Sequence, residues 1–169
     1  NMDVNKLEQK LKSAEIEGVL PKCVIPVHLS GRSCDMKSIH RLSQKYGFRI
    51  IEDASHAVGA SYGSSSVGSC QYSDITVFSF HPVKIITTGE GGIALTNDAD
   101  LAGKMSLLRS HGITRDKASM SCNSDEIWCY QQIELGFNYR MTDISAALGL
   151  SQLSRLSEFV ERRNLIADK

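Results

Sequence analysis

The chain has 169 residues, with 19 Lys and Arg against 19 Asp and Glu, so its formal net charge is zero. Hydrophobic residues make up 41% and charged residues 22%, the balance expected of a soluble globular protein with a real core. Zero net charge gives no electrostatic case for a nucleic-acid or membrane partner, and no apolar run reaches the roughly 20 residues of a membrane helix. No signal peptide opens the chain.

The elements follow in order. "DVNKLEQKLKSA" predicts an amphipathic helix, with Asp3 as N-cap and Val4, Leu7 and Leu11 on one face. "KCVIPVHL" predicts a buried strand with little alternation. "DMKSIHRLSQKYG" predicts a second helix, capped by Asp35 and stopped at Gly47. "FRIIEDAS" reads as a strand ending at its acidic residues, and "DITVFSF" as another β-branched strand. Between them "GSSSVGS", residues 63–69, reads as a hairpin or loop tip. "GGIALTN" is a further strand. A helix follows in "DADLAGKMSLLRSHG", capped by Asn97 or Asp98 and ended by Gly112. Residues 113–138 read as a long polar loop. A last helix starts near Thr142 and runs on toward the end.

Alternating strands and helices predict an α/β fold with a mainly parallel sheet. Both ends of the chain fall in helical signals, which reads as a piece of a longer protein. The five cysteines, Cys23, Cys34, Cys70, Cys122 and Cys129, are odd in number, irregularly spaced and without a Cys-x-x-Cys. They predict free thiols in a reducing, cytoplasmic setting, with no metal site.

In parallel sheets, ligands bind at the carboxyl ends of the strands. Two polar clusters fall there, "EDASH" and "SFHPVK". Lys84 lies among apolar and small residues with Pro82 just before it, a setting for a partly desolvated nucleophile. A loop lysine with its head in water is the competing reading. Asp53 ends a buried strand, where a carboxylate is expensive unless paired. It suits a cationic ring nitrogen, or a local cap. His56 suits a stacked or hydrogen-bonded ring, or a structural role. Ser79 suits a phosphate, or its own backbone. Gly89, Gly91 and Gly92 suggest a turn with positive φ and close backbone approach, but match no nucleotide-binding fingerprint. A carboxylate for a pyridinium, a hydroxyl for a phosphate and a lysine for an aldehyde are together the three needs of pyridoxal phosphate (PLP).

The stretch from "VIPVHLSGRSCDMKSIH" through "RIIEDASHAVGASYG", "SDITVFSFHPVK" and "TTGEGGIALTNDADLAGKMSLLRSHG" resembles the DegT/DnrJ/EryC1/StrS family of nucleotide-sugar aminotransferases. The resemblance covers roughly residues 1 to 155. The "SFHPVK" and "TTGEGG" segments look most like its pseudaminic-acid pathway members. It implies part of the large domain of a fold-type-I PLP enzyme over residues 1–155. Residues 156–169 become a helix leading toward a small domain that is missing here, as is an N-terminal segment with a phosphate-binding turn. It implies Lys84 as the catalytic, aldehyde-binding lysine and Asp53 as partner of the pyridine nitrogen. His56 falls beside the cofactor ring, Ser79 at the phosphate, and Asn138 at the phosphate of the neighbouring subunit in a homodimer with shared active sites. The implied reaction moves an amino group from a donor such as glutamate to a UDP-linked 4-keto-6-deoxy-N-acetylhexosamine. Relatives with histidine in place of the lysine are sugar dehydratases, so Lys84 favours transamination. The alternative reading is an inactive remnant that persists as an oligomeric or binding module.

Overall fold

The computed structural model describes residues 1–121 and 126–169, so Cys122 lies outside the described residues. Contacts divide them into two units, one of residues 1–97 with 143–169 and one of residues 98–142.

The first unit opens with α1 (Val4–Glu17), whose N-cap Asp3 accepts the amides of Asn5 and Lys6, and which Gly18 closes in the left-handed region. Leu11 is its buried anchor, with Met2, Val4 and Leu7 packed beside it. β1 (Cys23–Val24) is followed by α2 (Met36–Tyr46), capped by Asp35 and ended at Gly47, and by β2 (Arg49–Asp53). β3 (Ser61–Tyr62) and β4 (Ser65–Ser66) form the expected hairpin. β5 (Ile75–Ser79) and β6 (Gly92–Leu95) complete a four-stranded sheet in the order β1-β2-β5-β6. β1, β2 and β5 run parallel and β6 antiparallel to β5. After residue 142 come α4 (Asp143–Leu153) and α5 (Leu156–Ala167), so the long terminal helix predicted from sequence is broken at Ser154 and Arg155.

One face of the sheet is covered by α1 and α2. Val24 and Ile50 meet Met36, Ile39, Leu42 and Tyr46 there, burying an apolar cluster worth about 1.5–3 kcal/mol per large side chain. A second cluster, Ala54, Ala57, Val58, Phe78 and Ile86, takes Leu156 and Phe159 of α5. Segment 22–29 differs from its prediction. Only two residues form a ladder. Burial alternates, with Val24, Pro26 and His28 inside and Ile25, Val27 and Leu29 exposed. Pro26 has no amide to donate, which ends the regular ladder. A single bridge from Val27 to Asp53 continues it.

In the second unit, α3 (Ala99–Leu108) is capped by Asp98 and stops four residues before Gly112. Residues 113–138 are not all loop, because β7 (Ile113–Thr114) and β8 (Gln131–Gln132) pair antiparallel.

Gly92 faces Ser79 across the β5–β6 ladder. A Cβ there would lie 2.7 Å from the Phe78 carbonyl oxygen, a contact with rigid backbone. Gly92→Ala is therefore expected to destabilise the chain by about 1–3 kcal/mol, read as a lower urea midpoint at unchanged slope.

Candidate functional site

The register of the sheet sets the site. Asp53 pairs with Val77 on one side and bridges Val27 on the other, so Val27, Asp53, Val77 and Ser79 share one face. Glu52, one residue earlier, points to the opposite face and is buried.

Asp53 is half-buried at the end of β2. Its Oδ1 accepts both the Ser55 hydroxyl (2.6 Å) and the Ser55 amide (3.0 Å), so the local cap foreseen from sequence is present. Oδ2 has no protein donor among the described residues. The Ser55 hydroxyl bond, reinforced by the Ser55 amide and by the positive charge of Lys84, holds the carboxyl below the ordinary aspartate range despite partial desolvation. Asp53 is thus an ionised carboxylate with one oxygen fixed and one open.

Lys84 sits in a loop closed at its base. The Phe80 amide donates to Gly91 O (2.8 Å), while Phe80 O accepts the Thr88 amide (3.0 Å) and the Thr87 hydroxyl (2.7 Å). The Thr87 amide donates to Gln152 Oε1 of α4 (2.8 Å), and Ile86 is buried in the core. A turn from the Lys84 amide to His81 O (2.9 Å) orients the lysine itself, which is half-buried. Gly89 turns at φ +79°, a conformation that favours glycine. Ser79 Oγ accepts the His81 amide (3.4 Å), which leaves its hydroxyl proton to donate.

His56 is exposed, and its Nδ1 accepts the Ser30 amide (3.3 Å). Beneath the site, Glu52 is enclosed by donors. Oε2 meets His28 Nε2 at 2.7 Å, and Oε1 accepts the Thr76 hydroxyl (2.9 Å) and the Ser73 hydroxyl. Burial alone would raise the Glu52 pKa, but the hydrogen bonds from His28, Ser73 and Thr76 outweigh it and lower the pKa.

The structure places Ser79 on the same sheet face as Asp53, His56 three residues after Asp53, and Lys84 in the loop that follows β5. Asn138 belongs to the other unit, where it is exposed and its backbone pairs with Ser110. Sequence reasoning missed Ser55, whose position two residues after an aspartate is a recognisable turn signal. It also missed Ser30 and the His28–Glu52 pair, for which no local pattern exists. Among the described residues no His, Cys, Asp and Glu cluster is arranged to hold a metal, and no helix is long and apolar enough to cross a membrane.

The donor set fits PLP on the evidence of the open Asp53 oxygen. An ionised carboxylate suits a cationic ring nitrogen, an amine suits an aldehyde, and a free hydroxyl proton suits a phosphate.

Comparisons with known proteins give the same direction. The model of the DegT/DnrJ/EryC1/StrS aminotransferase family matches residues 1–169. A UDP-4-amino-4,6-dideoxy-N-acetyl-beta-L-altrosamine transaminase of Campylobacter jejuni is 41% identical over 99% of this chain and 41% of its own length. A GDP-perosamine synthase of Caulobacter vibrioides is 42% identical over 98% of this chain and 40% of its own. The Streptococcus pneumoniae protein Spr1654, described as a sugar aminotransferase and solved in its PLP form, superposes with a TM-score of 0.76. It is 30% identical, over 99% of this chain and 43% of its own. The chain thus spans less than half the length of the relatives it matches.

Proposed function

The chain belongs to the DegT/DnrJ/EryC1/StrS aminotransferase family, and from that premise we propose that it carries the cofactor-binding part of a PLP-dependent nucleotide-sugar aminotransferase. The observation that carries this reading is Asp53, an ionised carboxylate with one oxygen fixed by Ser55 and one open, beside the charge of Lys84. PLP, when bound, supplies an electron-withdrawing pyridinium ring and an aldehyde. Asp53 would keep the ring nitrogen protonated through its open oxygen. Lys84 would hold the aldehyde through its amine and, when that amine is free, would move a proton as base and then as acid. Ser79 would donate its hydroxyl proton to the phosphate, and His56 would lie beside the ring.

On the same reading Asn138 serves the phosphate of a partner subunit in a homodimer. Residues 1–155 form the PLP-binding part, and residues 156–169 lead toward a second domain. A cytoplasmic location suits such an enzyme. The substrate class is a nucleotide-linked keto sugar, with an amino acid such as glutamate as donor. The finer choice, a UDP-linked 4-keto-6-deoxy-N-acetylhexosamine, draws on the "SFHPVK" and "TTGEGG" segments and on the Campylobacter relative. The Caulobacter relative, 42% identical against 41%, is named for a GDP-linked product, so overall identity favours neither nucleotide. The alternative of an inactive module is not favoured, since both of these relatives are named for a reaction.

The test is direct. Titrating PLP into the chain is expected to give a visible absorption band that sodium borohydride fixes, with the label mapped by mass spectrometry to Lys84 in preference to other lysines. A folded sample with no band, or with label spread evenly over surface lysines, would overturn the assignment.

A further inference from the structure

We propose that the turn over residues 28–34 is a positioning device for His56, in which the Ser30 amide fixes the imidazole tautomer and the buried His28–Glu52 pair holds that amide in place. The inference rests on the reading of His56 as a neighbour of the cofactor ring.

A backbone N–H can only donate. Because the Ser30 amide points at His56 Nδ1, that nitrogen is the acceptor, and the ring proton of neutral His56 resides on Nε2. The free face of the ring therefore offers an N–H donor, suited to an oxygen acceptor on a ligand. The geometry of the turn is specific to this contact. Ser30 adopts φ +57°, unusual for a residue with a side chain, and that conformation aims its amide. The adjoining Gly31, at φ +84°, passes so close that a Cβ would lie 3.1 Å from the His56 carbonyl oxygen. The turn thus touches His56 through both its ring and its backbone.

The turn is held from below. The His28 amide donates to Asp53 O (2.9 Å), and His28 O accepts the Gly31 amide (3.2 Å). The His28 ring is fully buried. Its Nδ1 accepts the Cys34 amide (3.2 Å), so its Nε2–H is the group that donates to Glu52. His28 therefore staples both ends of the turn, residues 28 and 34, to the floor of the sheet. Glu52 and Asp53 are adjacent on β2. The carboxylate that anchors the turn and the carboxylate of the site are thereby fixed by one strand, facing opposite ways.

The experiment uses the cofactor-free chain with ¹⁵N-labelled histidine. Long-range ¹H–¹⁵N correlation spectra report the tautomer of each ring, assigned by single substitutions. Above the ordinary histidine pKa, His56 is expected in the Nε2–H form alone, whereas free histidine recorded alongside shows its tautomeric mixture. His28→Gln is expected to move His56 toward that mixture. His56→Ala is expected to shift the Ser30 amide resonance and speed its hydrogen exchange several-fold, a readout that does not depend on the His28 variant folding. A wild-type His56 that matches the free mixture, or a Ser30 amide indifferent to His56→Ala, would overturn the proposal. Since no cofactor is added, these outcomes are separate from the borohydride result at Lys84.

Discussion

Lys84→Ala is expected to abolish the borohydride-fixed label at position 84 and to slow amino transfer to bound PLP by at least about 10²–10⁴-fold, the usual contribution of a positioned acid–base group. Lys84 sits in a tied loop. Its base is tied by Phe80, Thr87 and Gly91, and its far side by Ile86 in the core and Gln152 of α4. Removing an ammonium from such a framework leaves the backbone unchanged, so the loss is chemical and the fold survives. Lys84→Arg separates charge from nucleophilicity. The guanidinium keeps a cation near Asp53 but stays protonated and forms no bond to an aldehyde. It is expected to retain reversible PLP binding while losing the fixed label. Asp53→Asn removes a preorganised charge and keeps the shape, and is expected to lower the transfer rate by about 10²–10³-fold with labelling still present. The measurements are the visible spectrum, its bleaching by L-glutamate and the mapped label. An undiminished borohydride-fixed band in Lys84→Ala, carried by another lysine, would remove Lys84 from its role.

Which of these features the sequence displays depends on how local each one is. Asp3, Asp35 and Gly47 bound their helices through contacts within four residues, and all three act as helix ends in the structure. The strands at 49–53, 75–79 and 92–95 follow from β-branched and apolar composition. Strand direction leaves no such trace, so the antiparallel β6 is visible only in the structure's pairing, from Thr76 with Leu95 to Ser79 with Gly92. β7 and β8 are two residues each and owe their existence to each other across residues 115–130. The same distinction divides the site. Asp53, Ser79 and Lys84 stand out because their chemistry is unusual for their surroundings. His28 and Glu52 look ordinary in sequence, and it is the parallel register of β1 and β2 that brings an imidazole 24 residues away onto the carboxylate.

Glu52→Ala is expected to cost about 3–5 kcal/mol of stability, a large share of the roughly 5–15 kcal/mol that a domain possesses. The alanine leaves His28 Nε2–H, the Ser73 hydroxyl and the Thr76 hydroxyl facing a buried void. Glu52→Gln fills the void and still accepts from Ser73 and Thr76, but its amide meets the His28 N–H donor to donor. It is expected to cost less, about 1–3 kcal/mol. The pH dependence carries a defined sign. Burial pushes the Glu52 pKa up, the bonds from His28, Ser73 and Thr76 push it further down, and the net value in the folded chain lies below the 4.5 of an ordinary glutamate. A carboxyl depressed by folding contributes stability that is present above pH 4.5 and is lost as pH falls through the folded value. Urea midpoints measured from neutral pH into this acid range should therefore fall less steeply for Glu52→Gln than for the parent chain. Asp53 and Asp35 are also depressed, so a residual slope remains in the variant. Identical slopes would mean that Glu52 is not the buried anion, and would move the charge beneath the site onto another group. A double-mutant cycle with His28→Gln completes the test, because two residues in one hydrogen-bonded pair should couple by about 0.5–3 kcal/mol whereas independent sites add.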